Sequence, residues 1–233
     1  SLRGLRREVQ ALATVNHPVV VRGLRHELEG ERPHVVLEQM DGPRLSSLIR
    51  RHGRLPEQQY LPLAIEVASA LHYLHRIGYV HLDVKPSNVI MGAPARLIDL
   101  SVARSVEQAA ALDHPIGTDA YMAPEQCDPP RTGVPGPASD VWGLGATLFE
   151  AIAGYRAFDD GDPDADDVAA RVPQVALEPY DLPDKVPADI AKVVRAMLDR
   201  DPDARPLPHE LAEGLEPALA RQPKGRLAGW KVR

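Results

Sequence analysis

The sequence predicts an α+β fold, in which a short mixed segment precedes a longer, mainly helical part. Three observations carry that prediction. Apolar residues near the start recur at spacings of three or four, as on one face of a helix. Strand-like runs are short and fall among roughly the first hundred residues, and from about Pro137 onward the pattern is helical. With 233 residues, 44% of them hydrophobic, the chain can bury a real core.

The elements follow in order. Leu2, Leu5, Val9, Leu12 and Val15 outline a helix with one buried stripe, and the tripeptide NHP at 16–18 ends it. Two apolar runs, Val19 to Leu24 and His34 to Met40, flank the charged turn ELEGERP and read as an antiparallel pair closed by DGP. Pro56 and Glu57 mark a helix start, and Tyr60, Ala64, Val67, Ala68, Leu71 and Leu74 carry it to Ile77, where Gly78 stops it. Short strands are expected at Val89 to Met91 and Arg96 to Ile98, followed by a loop of small residues and the helical half. The proline-rich stretch Asp128 to Pro137 reads as a connection, and no internal repeat is found.

Composition narrows the function. A formal charge of −6 argues against nucleic-acid binding through bulk positive charge. The single cysteine, Cys127, has no partner for an intrachain disulfide, so a reducing compartment is expected. The longest apolar run, Val141 to Gly154, is interrupted by Glu150 and too short for a bilayer, and the start does not resemble a signal peptide. A cytoplasmic location is therefore expected, compatible with the cytoplasmic part of a membrane-anchored protein. Because Ser1 lies inside an amphipathic pattern, the chain reads as a piece of something longer.

The chemistry concentrates in HLDVKPSN at 81–88, on a loop between a helix and a strand. An Asp two residues before a Lys and five before an Asn can present a proton acceptor, a phosphate-binding cation and a metal-binding oxygen from one turn. The alternative for such a stretch is a polar surface loop. The segment resembles the catalytic loop, H-R-D-L-K-P-x-N, of eukaryotic-type (Hanks-type) bacterial serine/threonine protein kinases. Other stretches resemble that family in the same order: IDLS at 98–101, GTDAYMAPEQ at 117–126, SDVWGLGATLFE at 139–150 and RDPDARP at 200–206. Upstream, REVQALATVNHP resembles its C-helix and VVLEQMDG its hinge, so the resemblance runs from Glu8 to about Ala220.

The resemblance implies a protein-kinase-like fold with a truncated small lobe over 1–40, a complete mainly helical C-lobe over 41–220, and a basic tail or linker over 221–233. It implies transfer of the ATP γ-phosphoryl group to serine or threonine of a protein substrate, with Mg2+ as the metal. Asp83 would handle the proton of the attacking hydroxyl, Lys85 would stabilise the transferring phosphoryl group, and Thr118 would hydrogen-bond near both. Asn88 and Asp99 would hold magnesium. Leu37, Glu38, Met40 and Ile90 would surround the adenine. Glu8, Asp140, Glu125 and Arg205 would be structural, the last two as a buried pair and Asp140 as a cap for backbone N–H groups of the catalytic loop.

Departures from the family pattern set further expectations. Leu82 replaces the arginine that receives an activation-loop phosphate, and no hydroxyl lies between Ser105 and Thr118, so this segment is expected to order itself without phosphorylation and to tolerate alanine at Ser105. Ser101 replaces a glycine beside Asp99 and is expected to restrict it. Only seven residues precede Glu8, too few for the strands that carry a glycine-rich loop and lysine. A truncated kinase, weak or inactive alone, and a pseudokinase serving as a binding scaffold are the two readings. A small-molecule kinase of the aminoglycoside type shares H-x-D and N but not A-P-E. His72, His75 and His81 suggest packing over a zinc site, DDGDPDADD at 159–167 a solvated loop over a calcium loop, and Gly143 with Gly145 close helix packing over a phosphate loop.

Overall fold

The computed structural model describes residues 1–222; the expected basic tail lies, from 223 on, outside the described residues. Helix α1 (Leu2–Thr14) leads into the hairpin β1 (Gly23–Glu27) and β2 (His34–Leu37), followed by α2 (Leu45–His52) and the long α3 (Glu57–Arg76). Four two-residue strands come next, β3 (Tyr79–Val80), β4 (Val89–Ile90), β5 (Arg96–Leu97) and β6 (Arg104–Ser105), then α4 (Val106–Ala110). The remainder is helical: α5 (Pro124–Cys127), α6 (Pro129–Thr132), α7 (Pro137–Ala153), α8 (Val168–Arg171), α9 (Ala188–Met197) and α10 (Pro208–Ala220).

Burial explains the helical half. Helix α3 buries Tyr60, Leu61, Leu63, Ala64, Val67, Ala68, Ala70, Leu71 and Leu74, too wide a set for a single stripe, because it packs on both α7 and α10. Helix α7 is apolar nearly all round and is buried accordingly. Its glycines permit that packing: a Cβ on Gly143 would lie 2.9 Å from the Val84 carbonyl oxygen, and one on Gly145 2.8 Å from Met197 Cβ. Gly143 thus lets α7 lie directly under the loop that carries Asp83.

The first forty residues differ from expectation in register. The first strand is predicted at Val19 to Leu24 but forms at Gly23–Glu27, and the second ends at Leu37 instead of Met40. The apolar run is used elsewhere. Val19, Val20 and Val21 are buried against β5, with Val21 N–H donating to Leu97 O at 3.0 Å and Leu97 N–H donating to Val19 O at 2.6 Å. The first strand then extends through residues whose side chains are mostly exposed, while the second keeps Val35, Val36 and Leu37 half-buried. On α1 only Ala11 and Val15 are buried near its end, while Leu5, Val9 and Leu12 are half-buried. One hydrophobic cluster joins Ala11, Val15, Val19 and Val20 to α3, α7 and α10.

Candidate active site

Two antiparallel ladders frame the loop 81–88. Strand β3 pairs with β6 and β4 pairs with β5, so the chain enters and leaves the loop between fixed backbone ladders. Asp140, at the start of α7, holds the loop from below. Its Oδ1 accepts the Leu82 N–H at 2.7 Å, and its Oδ2 accepts the His81 N–H at 2.9 Å and sits 2.9 Å from His75 Nε2. Asp140 is 1% exposed, and these donors offset its burial. His81 Nδ1 accepts the Asp83 N–H at 3.3 Å, so the proton rests on Nε2, which faces Ile98 O at 3.2 Å. His81 therefore fastens the Asp83 loop to the strand end that leads into Asp99.

Four of the sequence-predicted residues meet in one hydrogen-bonded group. The Lys85 ammonium donates to Asp83 Oδ2 at 2.7 Å and to the Thr118 hydroxyl, which in turn donates to Asp83 Oδ1 at 2.7 Å. Asn88 Nδ2 donates to Asp83 O at 3.0 Å and to Asp83 Oδ2 at 3.1 Å. That anchoring leaves the amide oxygen of Asn88 turned from Asp83. Asp99 is close by in the backbone, since the Ile98 N–H donates to Asn88 O at 2.9 Å. Asp99 has φ +67°, a left-handed conformation, and its Oδ1 accepts the Ser101 hydroxyl at 2.6 Å and the Ser101 N–H at 3.2 Å. Ser101 thus pins one carboxylate oxygen and leaves the other for a ligand.

The residues expected around a nucleotide base also converge. Leu12, Leu37 and Met40 pack, half-buried, on a cluster of Val21, Ile90 and Ile98. The Glu38 N–H is taken up within the hairpin by Arg22 O at 2.9 Å, so only its carbonyl can serve as a hinge group. Glu8 lies on α1 with no ion-pair partner among the described residues. Burial, and then the Asp99 carboxylate, raise its pKa above the ordinary carboxylate value.

The stretch 106–116 is held by apolar packing. Val80 and Leu82 pack with Ala109 and Leu112 in a separate apolar cluster, against which Val106 and Ile116 rest. Leu82, which stands where the family pattern has arginine, is thus part of an apolar latch. Ser105 has a structural use that the sequence reading does not assign: its hydroxyl accepts the Gln108 N–H at 3.2 Å as the N-cap of α4, and the Gln108 side chain returns the bond. Gln126 was missed as well, and only the coordinates show its bonds to both loops. Behind the segment, Arg205 and Glu125 form a bidentate buried pair.

Donor chemistry fits a magnesium nucleotide. Among the described residues no set of three or more His, Cys, Asp or Glu side chains is gathered for a metal ion. A carboxylate and an amide oxygen, both hard donors, suit a cation that takes its remaining oxygens from phosphates and water. His72 instead meets His209 edge-on, at 5.4 Å between ring centroids, and Asp167 of the acidic stretch caps α8.

The protein kinase domain family matches residues 2–214. The serine/threonine-protein kinase PknB of Mycobacterium leprae is 32% identical over 212 residues, covering 86% of this chain and 33% of that protein. The serine/threonine-protein kinase PknK of Mycobacterium tuberculosis is 35% identical over 212 residues, covering 86% of this chain and 18% of that protein. The chain spans a third or less of the length of these relatives. Among the described residues no helix is long and apolar enough to cross a membrane.

Proposed function

The chain belongs to the protein kinase family, and from that premise we propose that it transfers the γ-phosphoryl group of ATP to a serine or threonine hydroxyl of a protein. One observation carries the proposal: Asp83, Lys85, Asn88 and Thr118 share a single hydrogen-bonded group.

In this reading Asp83 accepts the proton of the acceptor hydroxyl and orients its oxygen. Lys85, held between Asp83 and Thr118, presents its positive charge to the phosphoryl oxygens as they gain charge. Thr118 keeps both partners in place from the facing loop. Asn88 and Asp99 would hold Mg2+, which supplies charge neutralisation to the phosphates. Leu37, Met40 and Ile90 would receive the adenine, and the Glu38 carbonyl would meet its edge. The serine/threonine preference is supported by Lys85 and by the relatives' names.

A second reading, a catalytically silent binding module, is favoured by Glu8, which has no ion-pair partner among the described residues. Radiolabelled ATP with Mg2+ and a mixture of serine- and threonine-containing peptides separates the two. Label on hydroxyl residues, abolished by Asp83→Asn while nucleotide binding persists, supports the enzyme. Equal labelling by Asp83→Asn, or nucleotide binding indifferent to Mg2+ and to Asp99→Ala, removes it.

A further inference from the structure

Gln126 closes the stretch GTDAYMAPEQ and is 2% exposed, although its side chain is polar. Its Nε2 donates to Leu82 O and to Ile116 O, each at 2.9 Å, and its Oε1 accepts the Ala123 N–H at 3.1 Å. Both amide hydrogens are thereby used. The Ile116 N–H also donates to the Gln126 carbonyl at 3.4 Å, so one residue holds both backbone groups of Ile116.

The two carbonyls that Gln126 joins flank the reacting group. Leu82 directly precedes Asp83, and Ile116 stands two residues before Thr118. Leu82 has φ +62°, a conformation a leucine keeps only where its surroundings over-determine it. Asp140 takes its N–H and Gln126 takes its carbonyl, so the peptide groups on both sides of its Cα are fixed. Gly117, at φ +125°, passes through the angle of this clamp; a Cβ there would lie 3.0 Å from Leu82 O and 3.2 Å from Gln126 Nε2. Segment 116–118 is drawn against the catalytic loop by this neutral carboxamide as well as by the bonds of Thr118 to Asp83 and Lys85.

We propose that Gln126 is a positioning residue, whose carboxamide sets the spacing between the catalytic loop and the activation segment so that Thr118 can bridge Asp83 and Lys85. The inference rests on the phosphoryl-transfer reading above, but the clamp can be measured without catalysis. The chemistry selects glutamine: two donors and an acceptor must come from one side chain without burying a charge. Methionine has the length but no donor, and asparagine has the amide but is one methylene shorter.

The test compares wild type, Gln126→Asn and Gln126→Met, with Ile190→Val in α9 as a core control remote from the site. Amide hydrogen exchange is followed in peptides spanning 112–118 and in α3 and α7, and kcat and KM for ATP are measured with Mg2+. Loss of the two bonds in the Met variant is expected to speed exchange over 112–118 by about tenfold or more, with α3 and α7 unchanged. Its kcat should fall by at least about tenfold while KM for ATP stays within about twofold, the Asn variant should be intermediate, and Ile190→Val should show neither change. Should the Met variant not fold, the Asn variant is read in the same way. Wild-type protection over 112–118 overturns the inference, as does a KM that rises with kcat unchanged. A wild-type chain that folds but binds no magnesium nucleotide overturns the functional reading, and the exchange pattern then decides the clamp alone.

Discussion

The Arg205 guanidinium grips both oxygens of Glu125, Nη1 to Oε1 at 2.6 Å and Nη2 to Oε2 at 2.9 Å, with both side chains out of contact with solvent. Arg205 is saturated by further bonds to the carbonyls of Asp199, Ala138 and Arg200, and it lies 5.0 Å above the Trp142 ring. Ser139 completes the shell of Glu125 at 2.7 Å. Removing one partner strands a buried charge, so Arg205→Met should cost about 3–5 kcal/mol, read as a lowered midpoint in urea. Arg205→Lys should not restore it, because one ammonium cannot match the planar fork. A change below about 1 kcal/mol would show that the pair is not held as described.

Thr118 joins two strands of chain through one hydroxyl, accepting from Lys85 and donating to Asp83. Thr118→Val keeps the branched shape and removes both bonds. Bonds to charged groups contribute about 1.5–3 kcal/mol each way, so a loss of about tenfold to a hundredfold in kcat is expected for the proposed transfer. Because Asn88 and Asp99 make no bond to Thr118, nucleotide affinity should be nearly unchanged. Calorimetric titration with magnesium and a non-hydrolysable ATP analogue checks that half; parallel loss of affinity and turnover contradicts the assigned role.

What could be read from the sequence follows physical scale. Helix α3 spans twenty residues, long enough for period and a proline start to identify it, whereas α7, apolar nearly all round, was legible as an apolar run and by its family resemblance. Helix α2 has eight residues and α4 five, too few for a period to emerge, and neither is predicted. Strand β1 is misplaced because apolar character marked Val19 to Val21, which dock on β5, whereas β1 itself is mostly exposed and pairs through backbone bonds that leave no apolar signature. At the site, Asp83, Lys85 and Asn88 were legible because chemical type and spacing single them out, whereas Thr118 was legible only through the resemblance of GTDAYMAPEQ to the family pattern. Gln126 was not, since a glutamine whose side chain bonds only to backbone groups carries no pattern in the chain.

The latch on the activation segment predicts stability without phosphorylation. Leu112, at the rim of the cluster, is 9% exposed and packs with Val80, Leu82 and Ala109. Leu112→Ala should cost about 2 kcal/mol, the low end for a leucine truncation, because the site is near solvent and can relax. Contrary to the tolerance expected from the sequence, Ser105→Ala removes the N-cap of α4 and should cost about 1 kcal/mol locally. Limited proteolysis should cut both variants within 106–117 before wild type. Unphosphorylated wild type that is cleaved there as readily as Leu112→Ala would contradict the latch.

Glu8 gives a pH dependence of defined sign. Burial first, and the Asp99 carboxylate second, raise its pKa above an ordinary value of 4.5. Between that value and the raised one the folded protein binds more protons than the unfolded chain, so this group's contribution to stability falls as pH rises. Above the raised value the penalty is complete. Glu8→Gln removes it, and the variant should melt higher than wild type at pH 8, with the difference shrinking as pH falls and vanishing below 4.5. The gain should be modest, because Glu8 is only half-buried and solvent screens the repulsion. Asp99→Asn should narrow the same window by removing the second cause, and it should leave part of the shift because burial remains. Melting curves of the three proteins from pH 4 to 8 check both statements; a Gln variant that gains stability most at acid pH would show that the Glu8 carboxylate is stabilised by a cation, contrary to the arrangement described.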